Sequence, residues 1–600
     1  MITTLPPRAA IAREHTWDLA SIFATSAAWE QAFADVDAAL PGLAAYQGRL
    51  GESGETLLAW FSHSEAVTQA AYRVFVYARL GFDVDTGDQQ QSAMVGRSQG
   101  LLARLAAACA FAEPELLALP AATLQQYLET TGDLETYRHY LDNLHRLQPH
   151  VRSAEVEALL AQAAEPLSTP QNAYSVLADN DLVYPAAHDA AGEQHPVARG
   201  TIEGLLESPD RALRQRAWES YADAFLGAKN TMASLMLGNV RTNVFTARAR
   251  NHTSALAAAL HESNVPLAVY ENVLDAYNRH RPLWHRYWEI RRRALGVSQL
   301  AGYDIFAPLI AEQVAVPFDR AVEWICAGMA PLGADYVETM RRGLREQRWV
   351  DIYPNVGKRN GAYSSGTYGT HPFILMSYHD SVGGMSTLAH ELGHSMHSLY
   401  SRRNQPFVYS RYTLFVAEVA SNFNQALVRH HLLQHNTERS FQINVIEEAM
   451  RNFHRYLFVM PILAQYERAV HAQVERGQAP TADSMTADLA ELLGAGYGPA
   501  VAVDPQRDGI MWAQFQHMYM NFYVYQYASG IAAANALAVP IAAGDEDAVA
   551  RYRAFLSLGG SRYPLDALQT AGIDMTDPQA MDRAFGVLAS FVDRLDALIT

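Results

Sequence analysis

Thr387-Leu-Ala-His390-Glu391-Leu-Gly-His394-Ser-Met-His397-Ser-Leu399 reads as a helix with two unlike faces. Each residue of an α-helix advances by about 100°, so His390, His394 and His397 share one side while Leu388, Leu392 and Leu399 share the other. The leucines can pack on a core and leave the imidazoles facing a cavity. Imidazoles one turn apart can both reach one cation at about 2.0–2.1 Å. Glu391, beside the first of them, is badly placed to bind the same ion. It is well placed to hold a water on it and to act as general base.

A chain with 22 histidines can carry His-Glu-x-x-His by accident, and a catalytic zinc needs a third protein ligand. Phe415-Val-Ala-Glu418-Val-Ala-Ser421-Asn422-Phe supplies one. Glu418 follows His394 after a short connecting segment and stands alone among apolar and small residues, where a carboxylate is costly unless paired or metal-bound. The expected site is therefore one Zn2+ per chain on His390, His394 and Glu418, with His397 on the same helix face and Asn422 on the Glu418 helix as its neighbours.

Six hundred residues exceed one ordinary core. The chain is 49% hydrophobic and 18% charged, with 46 basic against 63 acidic side chains and a net charge of −17. That balance speaks against general nucleic-acid binding, which needs a basic footprint. Two cysteines, Cys109 and Cys326, make no disulfide framework and suggest a reducing compartment. The first residues lack the pattern of a signal peptide, so a cytoplasmic location is expected. The stretch from Gly509 to Gly544 has no Asp, Glu, Lys or Arg. It carries glutamines, asparagines and four tyrosines, which suits a buried helix lining a polar cavity better than a membrane span.

The expected fold is mainly α. Residues 1–180 show apolar positions recurring at three and four, and Thr16 is a plausible N-cap. A turn-rich stretch at 181–200 reads as a small hairpin and a domain boundary. The expected division is a helical domain over 1–190, with the start of that hairpin linker, and a catalytic domain over 191–600. Arg279-His-Arg-Pro-Leu-Trp-His-Arg-Tyr-Trp-Glu-Ile-Arg-Arg-Arg293 reads as an amphipathic helix with a solvated basic face rather than a nucleic-acid patch. Trp349–Tyr353 and His371–Tyr378 look like strands of a small sheet before the zinc helix, able to pair its edge with an extended peptide. Between them lies a glycine-rich loop. It either closes over that peptide, through Gly361, Tyr363 and Gly366, or is an ordinary hairpin loop.

Amide hydrolysis also needs donors for a developing oxyanion. In His517-Met-Tyr519-Met-Asn-Phe-Tyr523-Val-Tyr525-Gln-Tyr527-Ala-Ser-Gly530, Tyr519, Tyr523 and Tyr527 are four apart and would share one helical face just after His517. They either serve the oxyanion or pack a core with their hydroxyls satisfied locally.

Taken together, Thr16-Trp-Asp-Leu, Gly357-Lys-Arg-Asn-Gly-Ala-Tyr-Ser-Ser-Gly, the zinc helix, the Glu418 helix and the tract from His517 to Gly530 resemble the oligoendopeptidase F branch of the thimet-oligopeptidase-like (M3) zinc metallopeptidases. The resemblance implies a multi-helix ellipsoid with a deep substrate channel between two domains, and cleavage of internal bonds in short unstructured peptides. It implies zinc on His390, His394 and Glu418, Glu391 as base, and His517 with Tyr523 and Tyr527 as catalytic contacts to substrate or transition state. Two positions depart from it. Relatives usually carry Glu seven residues after the third ligand, where this chain has Gln425, and Ser381-Val-Gly-Gly-Met385 stands where an acidic pair is commoner. The expected activity is that of a zinc metalloendopeptidase on short peptides, with no nucleic-acid or membrane partner. The rival readings are a zinc carboxypeptidase or dipeptidase on a related helical scaffold, and a non-catalytic helical peptide-binding protein.

Overall fold

The helix carrying His-Glu-x-x-His runs Val382–Asn404 in the computed structural model, which describes residues 5–599. Ser381 caps it, its Oγ accepting the Gly384 N–H at 3.0 Å. A Cβ on Gly384 would lie 2.3 Å from the His379 carbonyl oxygen. The small residues before the motif thus start the helix and let the chain turn tightly into it. Leu388 and Leu392 are fully buried and Leu399 nearly so, as the two-faced pattern requires.

The fold is mainly α and forms two compact units. One takes the described residues of Met1–Pro149 with Val316–Val428 and Pro540–Gly572. The other takes His150–Ala315, Arg429–Val539 and the described residues of Ile573–Thr600.

In the first unit, helices Ser26–Ala44, Gly54–Asp83 and Gln89–Cys109 start at the side-chain caps Thr25, Ser53 and Asp88. They bury a core that includes Trp29, Leu43, Leu57, Val74 and Leu101. Thr16 caps no helix. Its hydroxyl donates to the Arg13 carbonyl at 2.7 Å, so the chain there makes short 3-10 turns instead. Trp17 is buried against Phe373 with the rings edge-on, 6.0 Å between centroids.

The small sheet has three strands in the order Val350–Asp351, Phe373–Leu375, Tyr363–Ser365. The first pair is parallel and the second antiparallel. The stretch between the two expected strands is therefore not a plain hairpin loop. Its middle, Tyr363–Ser365, is itself an edge strand.

In the second unit the expected hairpin pairs Ala187 with His195 and His188 with Gln194. The basic aromatic stretch lies in helix Leu267–Ala294, with Trp284, Tyr287 and Trp288 buried. Its basic face is not simply solvated. Arg279 pairs with Asp582 at 2.9 Å, Arg286 with Asp593, and Arg293 with Asp596 at 2.6 Å, all on helix Pro578–Ile599. The uncharged tract is broken into short turns at Met511–Gln514 and Gln516–Tyr519 before helix Tyr525–Ala542. No single helix among the described residues is long and apolar enough to cross a membrane.

Candidate metal centre

Helix Leu414–His435 crosses the motif helix at Gly393. A Cβ there would lie 2.3 Å from the Ala420 carbonyl oxygen and 2.5 Å from Ser421 Cα, so the contact is backbone to backbone. Asn424 secures it, its Nδ2 donating to the Ala389 carbonyl at 3.2 Å. Phe415, Val416, Val419 and Ala420 are buried around Glu418.

This crossing brings His390, His394 and Glu418 into one group whose ligand atoms could hold a metal ion. Glu418 Oε2 lies 3.4 Å from His390 Nε2 and 3.9 Å from His394 Nε2. Donors on a tetrahedral zinc with bonds of about 2.0–2.1 Å stand about 3.3 Å apart, so the set fits that ion with a small adjustment at His394. Burial pushes the His394 imidazole down to about 4, leaving it neutral at pH 7 as a ligand must be. Ser421 Oγ donates to Glu418 Oε2 at 3.1 Å, and Asn422 Nδ2 to the Glu418 carbonyl at 2.8 Å. His390 Nδ1 stands 3.1 Å from Gln425 Oε1, and Gln425 Nε2 donates to Ser386 Oγ at 2.8 Å. The amide thus fixes the His390 ring with Nδ1 protonated and Nε2 toward Glu418.

Glu391 is 6% exposed. Burial, opposed by the His390 ring and reinforced by Glu418, raises its carboxyl to about 7. Its Oε2 is buried and has no hydrogen-bond partner among the described residues. A charged or half-charged oxygen so placed beside a metal-ligand set is the second mark that the set suits a metal and its water. The backbone of Ser364, on the edge strand, reaches the same carboxyl.

His397 does not join the ligand group. It stacks on Tyr412 at 3.7 Å between centroids and packs on Phe555, and burial drives it down to about 3. It supports the helix from behind.

The glycine-rich stretch is anchored rather than loose. Tyr363 OH donates to Asp83 Oδ2 at 2.7 Å, and Arg79 and Arg359 bind the same fully buried carboxylate at 2.7 and 3.1 Å. Gly366, at φ +140°, has no room for a Cβ beside Arg402 Nη1 at 2.7 Å, and Arg402 donates to its carbonyl at 3.0 Å. Gly361, at φ +90°, faces open space.

The second unit brings His517, Tyr523 and Tyr527 together. Tyr523 OH donates to Tyr527 OH at 3.2 Å, and Tyr527 OH lies 3.3 Å from His517 Nε2. Tyr456 stacks on the Tyr527 ring. Tyr519 is not part of this group: it is 5% exposed and packs on Tyr174 at 4.4 Å. The three tyrosines do not share one helical face, because the chain leaves helical geometry at Phe522, φ +49°.

The sequence profile of peptidase family M3 matches residues 204–587, and that of oligopeptidase F matches 115–184. Oligopeptidase PepF of Bacillus subtilis is 36% identical over 99% of this chain and 89% of its own length. Group B oligopeptidase PepB of Streptococcus agalactiae is 33% identical over 99% and 98%. The chain belongs to peptidase family M3. The crystal structure of oligoendopeptidase-F from Enterococcus faecium superposes with a TM-score of 0.75 at 29% identity, covering 95% of this chain and 98% of that one.

Membership in M3 makes the chain a metallopeptidase and explains the ligand group. The supporting residues Asp83, Arg402, Tyr412 and Ser421 of this M3 chain were not singled out by sequence. Asp83 lies 280 positions from Tyr363, so no local pattern could join them. Ser421 was visible one turn after Glu418, a spacing that lets a hydroxyl reach back to a helical carboxylate.

Proposed function

We propose that this M3 chain is a zinc-dependent endopeptidase cleaving internal bonds of short, unstructured peptides in the cytoplasm, with zinc held by His390, His394 and Glu418 and Glu391 as general base. The observation that carries the reading is the donor group beside a buried Glu391 oxygen that has no hydrogen-bond partner among the described residues. A bound zinc supplies Lewis-acid polarisation of the scissile carbonyl and acidifies water.

Glu391 takes a proton from the attacking water and returns it to the leaving amide nitrogen. Gln425 holds the His390 ring in one tautomer through both. The free side of strand Tyr363–Ser365, an edge in its sheet, offers backbone donors and acceptors to an extended peptide. Gly361 and Gly366 allow the backbone next to that strand its left-handed conformations. His517, Tyr523 and Tyr527 contact the substrate or stabilise the oxyanion, a role that rests on the resemblance and on their convergence in one hydrogen-bonded group.

Cleavage of an internally quenched peptide of about ten residues, blocked at both ends, with and without a zinc chelator, tests this. The expected result is chelator-sensitive internal cleavage, with a folded protein left intact. Cutting only of peptides with a free terminus would replace the reading with an exopeptidase. No cutting by the zinc-loaded protein would leave a peptide binder.

A further inference from the structure

The turn between His517 and Tyr527 is held from outside by a residue that the metal chemistry does not use. Phe522 sits at φ +49°, a conformation that bulky side chains rarely adopt and that persists only where the surroundings impose it. Its N–H donates to Glu467 Oε1 at 2.7 Å. Glu467 lies on helix Met460–Glu475 and is 1% exposed. Its other oxygen is buried and has no hydrogen-bond partner among the described residues. A buried carboxyl with one backbone contact is a costly way to fill a core. A hydrophobic side chain of that volume would serve packing alone better.

The surroundings are built to the same end. His471, one turn on, packs its ring on Phe522 at 4.6 Å, donates from Nδ1 to the Glu467 carbonyl at 2.9 Å, and accepts from Asn243 Nδ2 at Nε2 at 3.2 Å. Asn239 Nδ2 donates to the Tyr519 carbonyl at 3.3 Å. The turn is thus pinned at the Tyr519 carbonyl and the Phe522 amide, on the two sides of the exposed Met520. Tyr523 follows at once and hands its hydroxyl to Tyr527, and Tyr527 meets His517.

We infer that Glu467 is a positioning residue for the peptidase reaction, holding the Phe522 amide in its left-handed turn so that Tyr523, Tyr527 and His517 are presented as one group. This rests on the reading that the group touches substrate. Burial keeps the carboxyl up at about 8, so it is neutral at pH 7 and an amide oxygen can replace it.

The test is a kinetic double-mutant cycle on the full-length zinc-loaded protein with the doubly blocked quenched peptide. Glu467→Gln keeps an acceptor for Phe522 and should hold kcat within about threefold. Glu467→Met removes the acceptor and should lower kcat by about tenfold or more, with KM and zinc stoichiometry little changed. In a Tyr523→Phe/Tyr527→Phe background the Met substitution should cost almost nothing further, because residues acting through one another are not additive. Equal impairment by Gln and Met, or full additivity with the tyrosine changes, would overturn the assignment. If the tyrosine changes alone leave kcat intact, the role of the tyrosine group fails and the positioning role falls with it. Should the Met variant not fold, Glu467→Asp, which draws the carboxyl back by one methylene, enters the same cycle with the same expectations.

Discussion

His390 offers one ring nitrogen toward Glu418 and the other to Gln425, so the side chain that tunes the ligand is a neutral amide. An amide oxygen orients the ring as a carboxylate would but lends it less basicity. Outer partners of metal-bound histidines are worth about 10–100-fold in affinity or activity. Gln425→Glu should therefore tighten zinc by about tenfold, since Ser386 can reverse its hydroxyl and donate to the new carboxylate. Gln425→Ala should loosen it by at least as much. Competition with a chromophoric chelator measures both, and equal affinities in all three proteins would remove Gln425 from the metal's support. Glu391 calls for a different readout. Glu391→Gln keeps size and burial but cannot take a proton, so turnover should fall by about 10²–10⁴-fold while one zinc stays bound. Near-normal turnover would assign the base elsewhere.

The two ligand-bearing helices meet where Gly393 lets backbone touch backbone. Gly393→Ala must push the Glu418 helix outward, and overpacking of this kind typically costs about 1–3 kcal/mol. Lower thermal stability together with weaker zinc binding is the expected pair of effects. Loss of stability with unchanged zinc affinity would mean that the crossing does not set the ligand geometry. Much at this scale was legible in the sequence. His390, Glu391 and His394 report themselves by helical spacing, and Glu418 by its solitude among apolar neighbours. The strand Tyr363–Ser365 was not legible, because two serines among glycines carry no strand pattern and its pairing partner Phe373–Leu375 supplies the order. The break at Phe522 was equally hidden. Its cause, Glu467, lies 55 positions away, and spacing by four favoured one continuous helix. Thr16 failed as a cap for a simpler reason: its hydroxyl turned back to Arg13.

Across the whole chain, buried ionisable groups away from the metal set a stability optimum that can be argued from their signs. His454 and His471 are buried neutral, pushed by desolvation to about 3 and about 4 from an ordinary 6.5. Below pH 6.5 the unfolded chain binds protons that these folded imidazoles refuse, so their contribution is complete above that pH and is lost on acidification. Glu467 and Asp508 act in the opposite sense. Burial raises them to about 8 and about 7, so the folded chain keeps protons that the unfolded chain has released above about pH 4. Their contribution is complete below that value and is lost as pH rises through 7 and 8. Above pH 6.5 only the two acids are still titrating among these four, so the melting temperature should decline from there to about pH 8.5. Glu467→Gln combined with Asp508→Asn cannot ionise at either position and should flatten that decline, with the variant gaining on the parent as pH rises and the gap smallest near pH 5. Parallel curves for the two proteins would show that neither carboxyl keeps its proton in the folded chain.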